Sequence, residues 1–241
     1  MKYKLKYKRY SENAILIEWP SKIDENILQD LLFYKKIIEN ECIKEIVEII
    51  TAYNSILIYY GSTIENVYET VSVLKSLYSN SFESKEIKSR LWKIPVCYSP
   101  TLAPDLELFS KAKSLTVDEV ISLHTVAIYK VYFLGFLPGF CYLGGLDDRL
   151  CLPRKSTPSL EVKKGSVAIG GNQTGIYPLD SPGGWHVIGK CPLNFFDSNL
   201  NIPCHVMPND SVQFMSITEK EYNDISAAVL NTGYFPEPMY L

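Results

Sequence analysis

His124 and Arg154 are the two side chains of this 241-residue sequence whose types and positions best suit catalytic work. An imidazole with its ordinary near-neutral pKa can donate or accept a proton during a reaction. His124 follows a predicted helix and precedes a predicted strand, so the alternative is a histidine that caps the helix or hydrogen-bonds a loop. Position alone favours that alternative.

Arg154 follows Pro153 and precedes Lys155. A guanidinium group can clamp a carboxylate or a phosphate with two parallel hydrogen bonds. The alternative is a solvated charge, or an ion pair within the chain with a nearby acid such as Asp147 or Asp148. The sequence leaves both interpretations open.

Glycines recur between Leu134 and Asp197, among prolines and aromatic residues. Glycine tolerates positive φ and lets a ligand approach the backbone closely, and such loops often carry function. The amides of residues 170–175 could form a concave anion nest, although the Lys-Ser/Thr of a P-loop does not follow them. The alternative is a set of tight turns. We predict substrate or nucleotide contacts at Gly139, Gly170, Gly171, Gly183 and Gly184.

Four further residues of this stretch complete the predicted binding site. Gln173 and Thr174 lie in a glycine-rich loop and can hydrogen-bond an amide or a carboxylate. Tyr177 and Trp185 can form the apolar wall of a pocket. For both aromatic residues, packing in the core or within a loop is the alternative.

The sequence gives no sign of several common sites. It contains no G-x-x-x-x-G-K-[ST], H-E-x-x-H or G-x-S-x-G pattern. Its six cysteines form neither a C-x-x-C pair nor a Cys/His ligand spacing. We therefore expect the cysteines to behave as small apolar residues, and we predict no metal ligands.

Net charge and hydropathy limit the classes of partner and the cellular location that the sequence favours. The net charge of −3 gives no reason to expect nucleic acid or an anionic membrane as a partner. No apolar run approaches the ~20 residues that span a bilayer. The N-terminus has charges without a following apolar core, unlike a signal peptide. We expect a cytoplasmic protein with reduced thiols.

The first part of the chain predicts a small α+β unit in the order strand, helix, strand, strand, helix. The helices are expected to begin at caps provided by Asp24 and Thr63. Polar residues from Ser79 onwards break the pattern, so the predicted domains are 1–85 and 86–241. The predicted strands of the first domain cover 14–18, 43–51 and 55–60.

The second part predicts a barrel or sandwich with long loops, because short apolar runs alternate with turn signals. Two capping boxes, Thr116 with Glu119 and Thr218 with Glu221, should open helices that reach about Leu123 and Leu230. A short helix from Asp105 through Lys113 is also expected. The predicted strands cover 91–96, 125–133, 166–169, 186–188, 194–196 and 212–215.

Six ordered motifs make the sequence similar to a known family. They are His124, Gly135–Leu143, Pro153–Arg154, Gly165–Ile169, Gln173–Pro178 and Ser181–Trp185. The sequence resembles the family of the 5-oxoprolinase B subunit, which includes the sporulation kinase inhibitor KipI and the former allophanate hydrolase subunit 1. The resemblance covers nearly the whole chain and favours a functional role for His124.

This resemblance implies a fold and a function. The fold would be α+β, with a small N-terminal α/β sandwich-like domain followed by a cyclophilin-like β-barrel. The function would be that of the B subunit in an ATP-dependent 5-oxoprolinase. It would act with the A subunit, and in direct contact with the C subunit, to convert 5-oxoproline to glutamate. ATP with Mg²⁺ would bind in the complex, with no tightly bound cofactor, and the isolated chain would be inactive.

Within that function, the glycine loops, Arg154 and His124 are candidates for the anion cradle, the positive clamp and the hydrogen-bond donor that lactam activation needs. The chain departs from the family in the 98–106 loop, which lacks several glycines and an acid, and at Ser159, which replaces an arginine. The alternatives are a KipI-like inhibitor of a histidine kinase and a subunit related to urea carboxylase or allophanate hydrolase.

Overall fold

The structure, a computed structural model, describes residues 3–41, 45–80 and 89–240. The described residues up to 80 form one compact unit, and those from Ser89 onwards form a second. The predicted boundary between residues 85 and 86 lies outside the described residues. In the described ranges, no helix has both the length and the apolar character needed to cross a bilayer.

The N-terminal unit is an antiparallel sheet of four strands with two helices. The strand order is β1-β2-β4-β3, and every neighbouring pair is antiparallel. This arrangement confirms the predicted α+β unit. The elements are β1 (Lys6–Ser11), β2 (Ala14–Glu18), α1 (Glu25–Glu41), β3 (Ile46–Thr51), β4 (Ser55–Tyr60) and α2 (Val67–Asn80).

Alternating apolar side chains explain how this sheet holds its helices. On β4, every second residue is buried, including Ile56 and Ile58. These side chains pack in one cluster with Leu31 of α1 and Leu74 of α2. The buried Tyr34 hydroxyl of α1 donates a hydrogen bond to the Leu74 carbonyl at 2.6 Å, which ties the two helices together.

Two N-terminal elements differ from the predictions. Strand β1 was not predicted because four of its six side chains are exposed and it has no apolar run. Helix α2 begins later than a Thr63 cap would require: the Glu69 amide donates to the side-chain oxygen of Asn66 at 3.2 Å, so Asn66 is the capping residue. The predicted strand at 43–51 begins at Ile46 within the described residues.

Seven strands of the second unit close into a barrel, in the order β12-β9-β10-β7-β6-β13-β5. The closing pair is Lys190 on β12 with Cys97 on β5. Strands β13 and β5 run parallel, and the other pairs are antiparallel. The barrel strands are β5 (Arg90–Cys97), β6 (Ile128–Leu134), β7 (Cys141–Gly144), β9 (Ser166–Gly170), β10 (Gln173–Ile176), β12 (His186–Lys190) and β13 (Ser211–Ile217).

Smaller elements surround the barrel. Strands β8 (Ser159–Val162) and β11 (Ser181–Gly183) form a separate two-stranded sheet, and β14 (Met239–Tyr240) pairs with β5. The helices of this unit are α3 (Leu106–Lys113), α4 (Val117–Val126), α5 (Glu219–Thr232) and a 3₁₀ turn at Asp148–Leu150. The presence of a closed barrel, a smaller sheet and helices confirms the predicted α+β class, and the barrel fits a cyclophilin-like fold.

The barrel is filled by apolar side chains that alternate along its strands. Ile94, Val131, Val167 and Phe214 come from four different strands and are fully buried in one cluster. Such interdigitated interiors are as dense as organic crystals, so they fix the positions of the loops at the barrel ends.

Local signals predicted the helices of this unit well. Both capping boxes are present, at Thr116 with Glu119 and at Thr218 with Glu221. Helix α4 continues to Val126, three residues beyond the predicted end. The predicted strand at 194–196 is wrong, because Phe195 is buried by the core as part of an irregular segment.

Three of the described cysteines pack as the small apolar residues that the sequence predicted. Cys97, Cys141 and Cys191 are buried free thiols, and burial raises the pKa of the Cys191 thiol to about 12. Protonated thiols in an apolar environment are unreactive. Cys42 lies outside the described residues.

Candidate functional site

A pocket of about 260 Å³ opens on the barrel unit, where several loops meet strand β7 of the barrel and strand β11 of the small two-stranded sheet. It contains five of the residues predicted from the sequence, namely Arg154, Tyr177, Gly183, Gly184 and Trp185. The sequence therefore predicted a set of distant residues that do converge. The remaining lining residues are Phe136, Phe140, Tyr142, Pro158 and Pro182.

Aromatic rings packed edge to face form the wall of the pocket. The Phe140 ring lies 5.6 Å from the Trp185 ring and 5.5 Å from the Tyr177 ring, with interplanar angles of 77° and 83°. Phe136 meets both Phe140 and Tyr177 in the same manner. Edge-to-face packing is a preferred geometry for aromatic pairs, so each ring holds its neighbours in place.

Arg154 supplies the positive charge of the pocket. Its guanidinium carbon lies 5.8 Å from the centre of the Trp185 ring, within the range of a cation–π contact. Within the described part of the chain, no carboxylate lies at ion-pair distance from Arg154, and Asp147 pairs instead with Arg149 at 2.7 Å. The side chain is exposed, so it is available to an anionic ligand.

Tyr177 places a hydroxyl group against the backbone of Gly183. A Cβ atom at Gly183 would lie 2.4 Å from the Tyr177 hydroxyl oxygen, so only glycine allows this approach. Burial raises the pKa of Tyr177, against smaller lowering effects of the Arg154 charge and of a hydrogen bond from the Trp185 amide. The hydroxyl therefore keeps its proton at neutral pH and can donate it in a hydrogen bond.

Gly170 supports the pocket wall from behind. A Cβ atom there would lie 2.4 Å from the indole ring of Trp185. Gly170 therefore lets the indole lie directly on the end of β9, and it is not among the residues that line the pocket.

Gly171 and Gln173 belong to a hairpin turn beside the pocket. Gly170 pairs with Gln173 across β9 and β10, and Gly171 adopts a φ of 67° in the turn. The Gly171 amide donates to the Leu152 carbonyl at 2.7 Å and is therefore already bonded. These contacts favour the tight-turn alternative over an anion nest, and Gln173 is not among the residues that line the pocket.

Gly139 shapes the loop that carries Phe136 and Phe140. Its φ is 81°, and a Cβ atom would lie 2.8 Å from the Cβ of Phe196 and 2.9 Å from the Phe195 carbonyl oxygen. The glycine thus allows the loop to pack on the 195–196 segment. Phe136 has a φ of 67°, which is uncommon for a bulky residue, and its ring is 60% exposed at the pocket rim.

His124 lies inside the barrel and not in the pocket, and it is fully buried together with Thr174. Its two ring nitrogens lie 2.7 Å from the Tyr98 hydroxyl (Nδ1) and 2.9 Å from the Thr174 hydroxyl (Nε2). Thr174 donates its own proton to the Ala168 carbonyl at 3.1 Å, so it accepts from Nε2–H. Because burial favours the neutral imidazole, Nδ1 carries no proton and accepts a hydrogen bond from the Tyr98 hydroxyl.

Burial lowers the pKa of His124 to about 3. Phe214 stacks on the imidazole at 4.5 Å and separates it further from water. A group whose two nitrogens are bonded inside an apolar core has no proton to exchange with a ligand in the pocket. These contacts favour the alternative considered for His124, a side chain that only hydrogen-bonds other parts of the chain. Thr174 is buried in the same way and is bonded to His124 and to the Ala168 carbonyl.

Sequence reasoning did not select five residues that line the pocket. Phe136, Phe140 and Tyr142 were visible in the motif Gly-Phe-x-Pro-Gly-Phe-x-Tyr, where bulky aromatic residues beside glycines and proline indicate a shaped loop. Pro182 lies within the motif Ser181–Trp185 but was not selected as a site residue, and Pro158 lies outside the six motifs. Their place depends on the pairing of β8 with β11, for example Ser159 with Gly183, which the sequence did not reveal.

Comparisons with known proteins agree with the motifs. Residues 5–206 match the family described as carboxyltransferase domain, subdomain C and D. The 5-oxoprolinase B subunit of Bacillus subtilis (strain 168) is 35% identical over 238 residues, which cover 92% of this chain and 97% of that protein. The 5-oxoprolinase B subunit of Escherichia coli O157:H7 is 40% identical over 170 residues, or 70% of this chain and 78% of that protein.

A solved structure shares the fold of the whole chain. The urea carboxylase of Kluyveromyces lactis superposes with a TM-score of 0.81 at 22% identity, over 99% of this chain and 24% of that much longer chain. At this identity the likeness concerns the fold alone.

Proposed function

This chain belongs to the carboxyltransferase C and D subdomain family, together with proteins named as the B subunit of 5-oxoprolinase, and we propose that it is the B subunit of an ATP-dependent 5-oxoprolinase. The relatives of that name match it over most of their own length. In this proposal the chain acts in the cytoplasm with the A and C subunits, contacts the C subunit directly, and has no activity alone. The complex converts 5-oxoproline to glutamate.

The observation that supports this assignment most directly is the convergence of Arg154 with aromatic rings in one pocket. 5-oxoproline is a five-membered lactam that carries one carboxylate. The Arg154 guanidinium can bind that carboxylate through two hydrogen bonds, while the aromatic lining of the pocket, with the exposed Phe136 at its rim, packs against the small ring. A pocket of about 260 Å³ is of the size that a ligand this small requires.

The residues of the pocket would bind and orient the lactam for activation. An amide is stabilised by resonance, so its carbonyl carbon becomes electrophilic only after the oxygen has been modified. The Tyr177 hydroxyl, which burial keeps protonated, can donate a hydrogen bond to an oxygen of the substrate. Holding ring and carboxylate in one orientation converts binding into a lower barrier for the next step.

We place ATP and its Mg²⁺ in the assembled complex and predict no tightly bound cofactor in this chain. The glycine cluster at 170–175 does not fit a phosphate cradle, because the Gly171 amide is already bonded to Leu152. In the described ranges, no group of three or more His, Cys, Asp or Glu residues is arranged to hold a metal ion. No step of the reaction is therefore assigned to ATP at this pocket.

Reconstitution tests the proposal. The chain should co-purify with a tagged C subunit, and the complex completed with the A subunit should release glutamate from 5-oxoproline while it hydrolyses ATP. The expected result is loss of both activities when this chain is omitted. Full activity of a complex that lacks it would overturn the proposal.

The family description supports a second candidate, a role in carboxyl transfer such as a subunit related to urea carboxylase or allophanate hydrolase. A cationic pocket with planar aromatic walls also suits a small planar amide or its carboxylated product. Replacing 5-oxoproline with urea or allophanate in the same reconstituted assay separates the two. Turnover of urea-derived substrates alone would favour the second candidate.

A further inference from the structure

Two hydrogen bonds to backbone carbonyls hold Arg154 opposite Trp185. On one side, His186 Nε2 donates to the Pro153 carbonyl at 2.9 Å. On the other, the Lys155 amide donates to the Gly184 carbonyl at 2.7 Å. The residues before and after Arg154 are thus bonded to the residues after and before Trp185. This antiparallel match places the guanidinium over the indole without requiring any direct bond to Arg154.

The Lys155 side chain anchors the same loop to helix α3. Its Nζ lies 2.6 Å from Asp105 Oδ2 and 3.3 Å from the Ser159 hydroxyl. Asp105 immediately precedes α3, and its Oδ2 also accepts the Val187 amide at 2.7 Å. The side chains of Lys155 and Asp105 are only 21% and 17% exposed. A half-buried pair with a further backbone donor is held more rigidly than a surface ion pair.

His186 connects the same elements from the other side of Trp185. Its ring meets the buried Phe109 ring of α3 edge to face at 5.8 Å. The ring orientation is therefore fixed by packing while Nε2 points to the Pro153 carbonyl. Asp105 occupies the N-cap position of helix α3 and Phe109 lies within it. The helix therefore supports both the ion pair of Lys155 and the ring contact of His186.

We infer that Asp105, Lys155 and His186 are positioning residues, which hold Arg154 over Trp185 before any ligand binds. They lie outside the residues that line the pocket and act only through the backbone of the 153–155 segment. A cation fixed in its binding orientation loses less conformational entropy when a ligand arrives, so affinity rises. The effect on turnover rests on the proposed function, whereas the position of Arg154 does not.

NMR spectroscopy of the full chain tests the position directly. Side-chain protons of Arg154 that lie over the indole should be shifted upfield by the ring current, and the signal is assigned by comparison with Arg154→Lys. We expect the shift to fall by more than half in Lys155→Met and in His186→Phe, which keeps an aromatic ring against Phe109 but has no donor. His186→Gln retains a donor and should keep the shift, as should Lys164→Met, a control at an exposed lysine.

The NMR results decide whether these residues hold the Arg154 side chain in place. An unchanged Arg154 signal in Lys155→Met and His186→Phe would overturn the inference. Equal loss in His186→Gln and His186→Phe would also overturn it, because the hydrogen bond would then not be the cause. Asp105→Asn provides a second test of the ion pair. The asparagine side-chain oxygen can still accept the hydrogen bond from the Val187 backbone amide, but the negative charge that pairs with Lys155 is lost.

Kinetics of the reconstituted complex separate this inference from the proposed function. Loss of one orienting hydrogen bond should raise the KM for 5-oxoproline about five- to tenfold in His186→Phe and Lys155→Met, with a smaller change in kcat. His186→Gln should restore the KM. A lost NMR shift with an unchanged KM would leave the positioning role intact and would instead contradict the assignment of the pocket to 5-oxoproline.

Discussion

The barrel interior around His124 and the pocket around Arg154 contain similar side chains but differ in whether those side chains are available to a ligand. In each, a nitrogen-rich side chain lies beside an aromatic ring, Phe214 in the interior and Trp185 in the pocket. Both nitrogens of His124 are bonded within the chain, whereas the Arg154 guanidinium is exposed. The first arrangement stabilises the fold, and the second leaves a charge available to a ligand.

This difference shows that residue type alone does not identify a catalytic group. Histidine is the residue that most often exchanges protons at neutral pH, but here burial and a closed hydrogen-bond chain give it a structural role. Four experiments test this contrast.

The largest effect is expected from His124→Ala. The substitution removes a fully buried ring and leaves the hydroxyls of Tyr98 and Thr174 without that partner. We expect the free energy of unfolding to fall by about 4 kcal/mol. Urea denaturation followed by circular dichroism measures it. A loss below about 1 kcal/mol would contradict the structural role of His124.

Arg154→Ala should show the reverse behaviour. We expect kcat/KM for 5-oxoproline in the complex to fall about a hundredfold, or about 3 kcal/mol, because a carboxylate clamp is lost. The unfolding free energy should change by less than about 0.5 kcal/mol, as is usual at exposed sites. Arg149→Ala is the matched control, since Arg149 pairs with Asp147 on an exposed turn, and it should leave the kinetics unchanged.

The neutral state of His124 predicts a dependence of stability on pH. Its pKa is about 3 in the folded chain and about 6.5 when unfolded. Above pH 6.5 both states of the chain hold a neutral His124, and the free energy of unfolding is at its full value. It declines as pH falls towards 3, because the unfolded chain binds the proton first. At pH 5 this loss is about 2 kcal/mol. Denaturation midpoints from pH 7 to pH 5 measure it, and His124→Gln should show a shallower decline than the wild-type chain.

Tyr177→Phe should have the smallest effect. Removal of a single hydrogen-bond donor from the pocket should raise the KM for 5-oxoproline about fivefold, which corresponds to about 1 kcal/mol. The aromatic contacts with Phe136 and Phe140 remain, so stability should hardly change. Steady-state kinetics of the complex give the answer, and an unchanged KM would show that the hydroxyl does not contact the substrate.

Features that depend on neighbouring residues could be predicted from the sequence. The capping box at Thr116 and Glu119 is one, because its two hydrogen bonds close within a single helical turn. The alternating strand pattern of 55–60 is another. The six ordered motifs also identified the family, and the family gave the barrel.

Features that depend on distant pairings could not be predicted. The burial of His124 is decided by closure of the barrel, in which Thr174 on β10 reaches α4. The bond between His186 and Pro153 links the start of β12 to the loop that carries Arg154, and no sequence signal connects these two segments. The sequence therefore named several residues that line one pocket, whereas their partners, and the surroundings of His124, depend on the tertiary structure.

The close approach between Tyr177 and Gly183 has a consequence for how this protein can evolve. An added methyl group at 183 would collide with the phenol oxygen, so an alanine there becomes tolerable chiefly once a phenylalanine has replaced the tyrosine. The two positions should therefore covary among descendants of this chain. Any lineage that reshapes its pocket through residue 183 must first give up the hydroxyl group, which makes the order of mutational steps, and not only their sum, a property of the fold.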